Sequence, residues 1–132
     1  MSSFAASVDL LPVPRSVRLA RQLVADLLAV WDAPQAVDDA ALLVTELVAN
    51  VVDHVGGDAS FRLEVTLADE WLRVGVVDGS AVRPVVREMS TERLRGRGMQ
   101  LVAALADRWG VEDHEGGKRV WFELTSGVGE PG

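Results

Sequence analysis

The sequence predicts an α/β two-layer sandwich: a mixed, mostly antiparallel sheet with three helices on one face. Two observations carry this. Apolar residues recur at helical spacing across 15–31 and 35–55, and they alternate with polar residues across 61–67. The resulting order of strand, two helices, hairpin, loop, helix and hairpin suits helices layered on one face of a sheet. At 132 residues the chain is expected to form a single domain over 1–132, with its core over about 15–124. A chain of this size buries roughly two-thirds of its unfolded surface, enough for one core.

Phe4 to Leu10 is a short apolar and small-residue run ended by Pro12 and Pro14, as expected of a first strand. From Arg15 to Trp31 the apolar residues Val17, Leu19, Leu23, Val24, Leu27, Leu28 and Trp31 recur at helical spacing and predict an amphipathic helix. Asp32-Ala33-Pro34 interrupts it, and a longer helix follows from about Gln35 to Val55, stopped by Gly56-Gly57-Asp58. Phe61 to Leu67 and Trp71 to Val77 then make a hairpin about Ala68-Asp69-Glu70. Residues 79–95 have no sustained period and read as a lid. Gly96-Arg97-Gly98 is expected to open a third helix running to about Asp107. Trp109-Gly110-Val111 and Val120 to Leu124 flank a turn read as Glu115-Gly116-Gly117-Lys118, which makes Lys118 a turn residue.

Composition removes several kinds of function. There is no cysteine, so thiolate chemistry, disulfides and Cys-based zinc sites are excluded, and His54 and His114 stand too far apart to suggest a His-rich metal site. With 13 Lys+Arg against 20 Asp+Glu, the net charge of −7 argues against direct nucleic-acid binding, which rests on neutralising phosphates. No segment reaches the ~20 apolar residues of a membrane span, and the start Met-Ser-Ser-Phe lacks a basic region followed by an apolar one. A cytoplasmic protein with no membrane contact is expected. One stretch opposes the acidic balance: Arg83 to Arg97 holds five Arg and two Glu.

Three groups of residues carry chemistry. Glu46, Asn50 and His54 stand at successive i, i+4 positions and share a face of the long helix, a polar stripe on an otherwise apolar element. A carboxylate can serve as general base, and an amide oxygen is a hard neutral ligand that magnesium accepts beside water and phosphate. Asp78-Gly79-Ser80 follows an apolar strand, and a carboxylate there can accept a hydrogen bond from an exocyclic amine such as that of adenine. In Gly96-Arg97-Gly98-Met99-Gln100-Leu101-Val102, glycines before a helix start leave backbone N–H groups for an anion. A solvated helix face, an Asp-Gly turn and an ordinary loop are the plain structural readings of the same three segments.

Their order is more specific than any one of them. Glu46-Leu47-Val48-Ala49-Asn50 on a helix, Asp78-Gly79-Ser80 after a strand and Gly96 to Val102 after a lid resemble the Bergerat-fold (GHKL) ATPases. These include gyrase and the histidine kinase-like ATPase domains, and the short lid is similar to that of the anti-sigma factor serine/threonine kinases. The resemblance implies ATP and Mg²⁺ as cofactors, with Glu46 as general base, Asn50 holding magnesium and Asp78 reading the adenine amine. Ser80, Arg95, Gly96, Arg97, Gly98 and Met99 complete the implied nucleotide-binding residues. It also implies a sequestered sigma factor, a phosphorylated antagonist protein and a homodimer. Phosphotransfer to that antagonist is the function expected, and a non-catalytic nucleotide-binding partner-switch module is the alternative. The family's Asp-x-Gly stands here as Asp78-Gly79-Ser80, and Arg119 falls where the family has a Thr at the adenine end.

His54 reads as a helix-end or packing residue, and the four tryptophans read as core or interface filler. Asp53 either adds negative charge near the phosphates or faces solvent.

Overall fold

The computed structural model describes residues 3–54, 59–79 and 93–125, the side chains of 54 and 93–98 excepted. Its elements are β1 (Ser3–Leu10), α1 (Arg15–Val30), α2 (Val37–His54), β2 (Phe61–Ala68), β3 (Trp71–Asp78), α3 (Arg93–Leu105), β4 (Arg108–His114) and β5 (Gly117–Thr125). The strands form one sheet in the order β1-β2-β3-β5-β4, and every pairing among the described residues is antiparallel.

Alternation along the strands decides what each face holds. Phe61, Leu63, Val65 and Leu67 of β2, Leu72, Val74 and Val76 of β3, and Val120, Phe122 and Leu124 of β5 all enter one core. Ala20, Val24 and Leu28 of α1, Leu43, Val44, Leu47, Val48 and Val51 of α2, and Met99 and Val102 of α3 close it from the other side. The three helices therefore cover the same face. α2 is the middle one, packed between α1 and α3 and touching β3 and β5. Its first turn carries Asp38 and Asp39, where negative charge suits the helix dipole.

Connections fix these layers. Ser16 Oγ donates to the Leu11 carbonyl at 2.6 Å, tying the start of α1 to the chain leaving β1. Phe4 stacks on Trp31 with centroids 5.4 Å apart, which anchors the first strand to the end of α1. Gln35, expected as the opening of the second helix, instead lies before α2 and is buried. Its Nε2 donates to the carbonyls of Glu70 (2.9 Å) and Leu124 (3.2 Å), stapling the α1–α2 link to the ends of β3 and β5.

Two boundaries differ from the sequence expectation, and both bear on the site. The β4–β5 turn is two residues long: Glu115 and Gly116 take positive φ of 48° and 84°, the pattern of a hairpin turn with both central residues left-handed. Gly117 and Lys118 are consequently strand residues and not turn residues. α3 begins at Arg93, so Gly96 and Gly98 lie inside its first two turns and do not precede it. Arg93, Leu94 and Arg95 are good helix formers, and a glycine within a helix costs only about 1 kcal/mol relative to alanine.

Candidate functional site

α2 brings Glu46 and Asn50 to successive turns of one face, both half-buried, while Leu43, Leu47, Val48 and Val51 face the core. Burial pushes the Glu46 carboxyl above the ordinary 4.5 of a glutamate, because water is removed from the charged form. A carboxylate whose proton affinity moves toward neutrality is better matched to proton transfer. Asn50 offers a neutral amide oxygen one turn further on. Among the described residues no group of three or more His, Cys, Asp or Glu side chains converges. This donor set suits magnesium, which keeps waters and substrate phosphates around one or two protein ligands, and does not suit a metal caged entirely by protein.

Asp78 ends β3 on the core-facing side of the sheet and is buried. Directly opposite it in the β3–β5 register stands Lys118, whose Nζ lies 3.0 Å from Asp78 Oδ1. This pair corrects the reading of Lys118 as a turn residue: the shorter turn moves it into the strand, and its alternation with Val120, Phe122 and Leu124 points it inward. That same parity was the signal by which the sequence could have found it. Gly117 leaves no room for a side chain, since a Cβ there would collide with the Asp78 carbonyl and lie 2.7 Å from Gly79 Cα. The end of β5 thus presses against the backbone that carries Asp78 into Gly79.

Arg119 is also placed differently from the expectation. It points to the helix-free face, where Nε meets Glu64 Oε1 at 3.0 Å and Nη1 meets Glu112 Oε1 at 2.8 Å. The hydrogen bond from Arg119 to Glu112, and then that to Glu64, raises its guanidinium further above its ordinary range. Arg119 therefore lies on the opposite face of the sheet from Asp78, although it neighbours Lys118 along β5.

Met99 is packed in the core at 3 % exposure, so its side chain belongs to the scaffold. Asp53 is exposed. Ser80 and the lid expected over 79–95 lie outside the described residues apart from Gly79 and the α3 backbone, and so do the side chains of His54, Arg95 and Arg97. Trp31 and Trp109 pack against the core, whereas Trp71 and Trp121 lie under Arg108 (3.6 Å) and Arg73 (4.2 Å).

A helix bearing a carboxylate and an amide, laid over a sheet with a buried carboxylate at the end of a central strand, is the two-layer arrangement that the sequence order suggests. The family model for the histidine kinase-like ATPase domain matches residues 11–124, and the chain belongs to that family. Thirteen chains of solved structures match it. One holds the RsbU and RsbW domains of Rv1364c from Mycobacterium tuberculosis, with a TM-score of 0.69 and 19 % identity over 92 % of this chain. The chain spans 32 % of the length of that one. No curated protein matches it. Among the described residues, no helix is long and apolar enough to cross a membrane.

Proposed function

We propose that the chain binds Mg-ATP between α2 and the segment entering α3, and transfers the γ-phosphoryl group to a Ser or Thr hydroxyl of a small antagonist protein. The observation that carries this reading is Glu46: a half-buried carboxyl with raised proton affinity, one turn from Asn50, on the helix that crosses the strands bearing Asp78 and Lys118. In this role Glu46 accepts the proton of the attacking hydroxyl. The hydroxyl oxygen forms the new bond to phosphorus as the bond to ADP breaks, and the proton rests on Glu46. Asn50 would hold the magnesium ion, which when bound would neutralise phosphate charge. Asp78 accepts from the adenine amine. Ser80, Arg95, Gly96, Arg97, Gly98 and Met99 belong to the same proposal as the nucleotide-contacting segment, Met99 through its backbone.

Family membership supports the nucleotide, and the fold is shared with a structure whose title names an RsbW domain. The anti-sigma branch, a sequestered sigma factor, a homodimer and a cytoplasmic setting belong to the same proposal through the sequence resemblance. Incubation of the chain with labelled ATP and candidate antagonist proteins tests the reaction. Glu46→Gln should keep nucleotide affinity while phosphotransfer falls by about 10²–10⁴-fold. Because only the deprotonated carboxyl accepts a proton, the rate should rise with pH through a value above 4.5. ATP binding without phosphorylation of any partner favours the non-catalytic switch module, and Glu46→Gln then leaves partner affinity unchanged.

A further inference from the structure

Lys118 is the chain's only lysine, and its side chain is 7 % exposed against 2 % for Asp78. Lysine is almost never buried unless it is paired, and here the partner is the carboxylate directly across the ladder. A buried ion pair is a poor source of stability compared with apolar side chains of similar volume, because both charges lose their water. The surrounding core is otherwise aliphatic and aromatic: Val76, Val120 and Phe122 occupy the same face of the same two strands. Retaining two charges there therefore calls for another use. The backbone supports one orientation, since Gly117 abuts the Asp78 carbonyl and Gly79.

We propose that Lys118 is the positioning residue for base recognition: its ammonium holds the Asp78 carboxylate in the orientation that accepts the exocyclic amine of adenine. This rests on the nucleotide-binding reading above and adds to it a residue that acts through Asp78. A carboxylate held by an ammonium from the neighbouring strand keeps its direction without the entropy cost of being ordered when the base arrives. The selectivity that results is for the amine and not for the triphosphate.

The test uses two nucleotides, ATP and purine riboside triphosphate, which lacks the exocyclic amine, titrated into the full chain with magnesium. The native chain should prefer ATP by about tenfold or more, the size of one hydrogen bond to a charged acceptor. Lys118→Met should lose most of that preference, its ATP affinity falling about tenfold while purine riboside triphosphate changes less than about twofold. Lys118→Arg, which retains the charge, should keep a preference for ATP, and it decides the matter if Lys118→Met does not fold. Equal weakening of both nucleotides in Lys118→Met, an unchanged preference in it, or loss of the preference in Lys118→Arg overturns the role given to Lys118. A native chain that binds neither nucleotide overturns the nucleotide-binding reading itself. One that binds both equally removes Asp78 from base recognition and Lys118 with it.

Discussion

Lys118 and Arg119 are consecutive cations in β5, and the two faces of the sheet treat them differently. Lys118 enters the helix-covered face and meets the Asp78 carboxylate in a buried setting. Arg119 enters the helix-free face and joins a chain of partly exposed pairs, in which Glu112 also meets Arg73 at 3.6 Å and Glu123 bridges Arg73 (3.4 Å) and Arg108 (3.1 Å). Residue type alone does not distinguish them. A strand's period of two does, so that one step along the chain separates a residue beside the buried Asp78 carboxylate from one in a surface ion network.

Four substitutions break or sharpen the contrast. Lys118→Met removes the ammonium from beside a buried carboxylate and should cost about 3–5 kcal/mol in denaturant unfolding. The double variant with Asp78→Asn should regain most of that loss, because the two effects share one interaction. Gly117→Ala should cost about 2–3 kcal/mol, since the new Cβ meets the Asp78 backbone, which cannot swing aside as a flexible side chain would. Arg119→Ala should cost less than about 1 kcal/mol and lose even that at high salt, as partly exposed pairs do.

On stability, Glu46→Gln gives the smallest effect, and one that grows with pH. Burial raises the Glu46 carboxyl above 4.5, so the folded chain holds that proton more tightly than the unfolded chain. The corresponding stability is fully present below the unfolded value and is lost as pH rises through the raised one. Gln has no such loss. Its melting temperature should therefore gain on that of the native chain between mildly acidic and neutral pH.

Helices and hairpins were legible wherever periodicity ran long enough. α2 and the β2–β3 hairpin declare themselves through their apolar spacing, and the polar stripe of Glu46 and Asn50 is a direct consequence of i, i+4 geometry. The Asp78–Lys118 pair was not legible in the same way. Its members are forty positions apart and meet only because β3 and β5 pair in one register, which no local pattern specifies. The turn length compounded this: Glu115-Gly116-Gly117 contains two glycines, and either could have closed a longer turn, which would have displaced Lys118 from the strand. The start of α3 was hidden for a similar reason. Glycines are ordinary punctuation between elements, and Gly96 and Gly98 sit instead within the helix, where propensity disfavours them.

The most direct measurement is a calorimetric titration of ATP with magnesium into the native chain and its Asn50→Ala, Asp78→Asn and Arg119→Ala variants. The account predicts saturable binding by the native chain, equal binding by Arg119→Ala, and affinities lower by about tenfold or more in the other two. No binding by the native chain at millimolar ATP, or a loss in Arg119→Ala as large as that in Asp78→Asn, would contradict it.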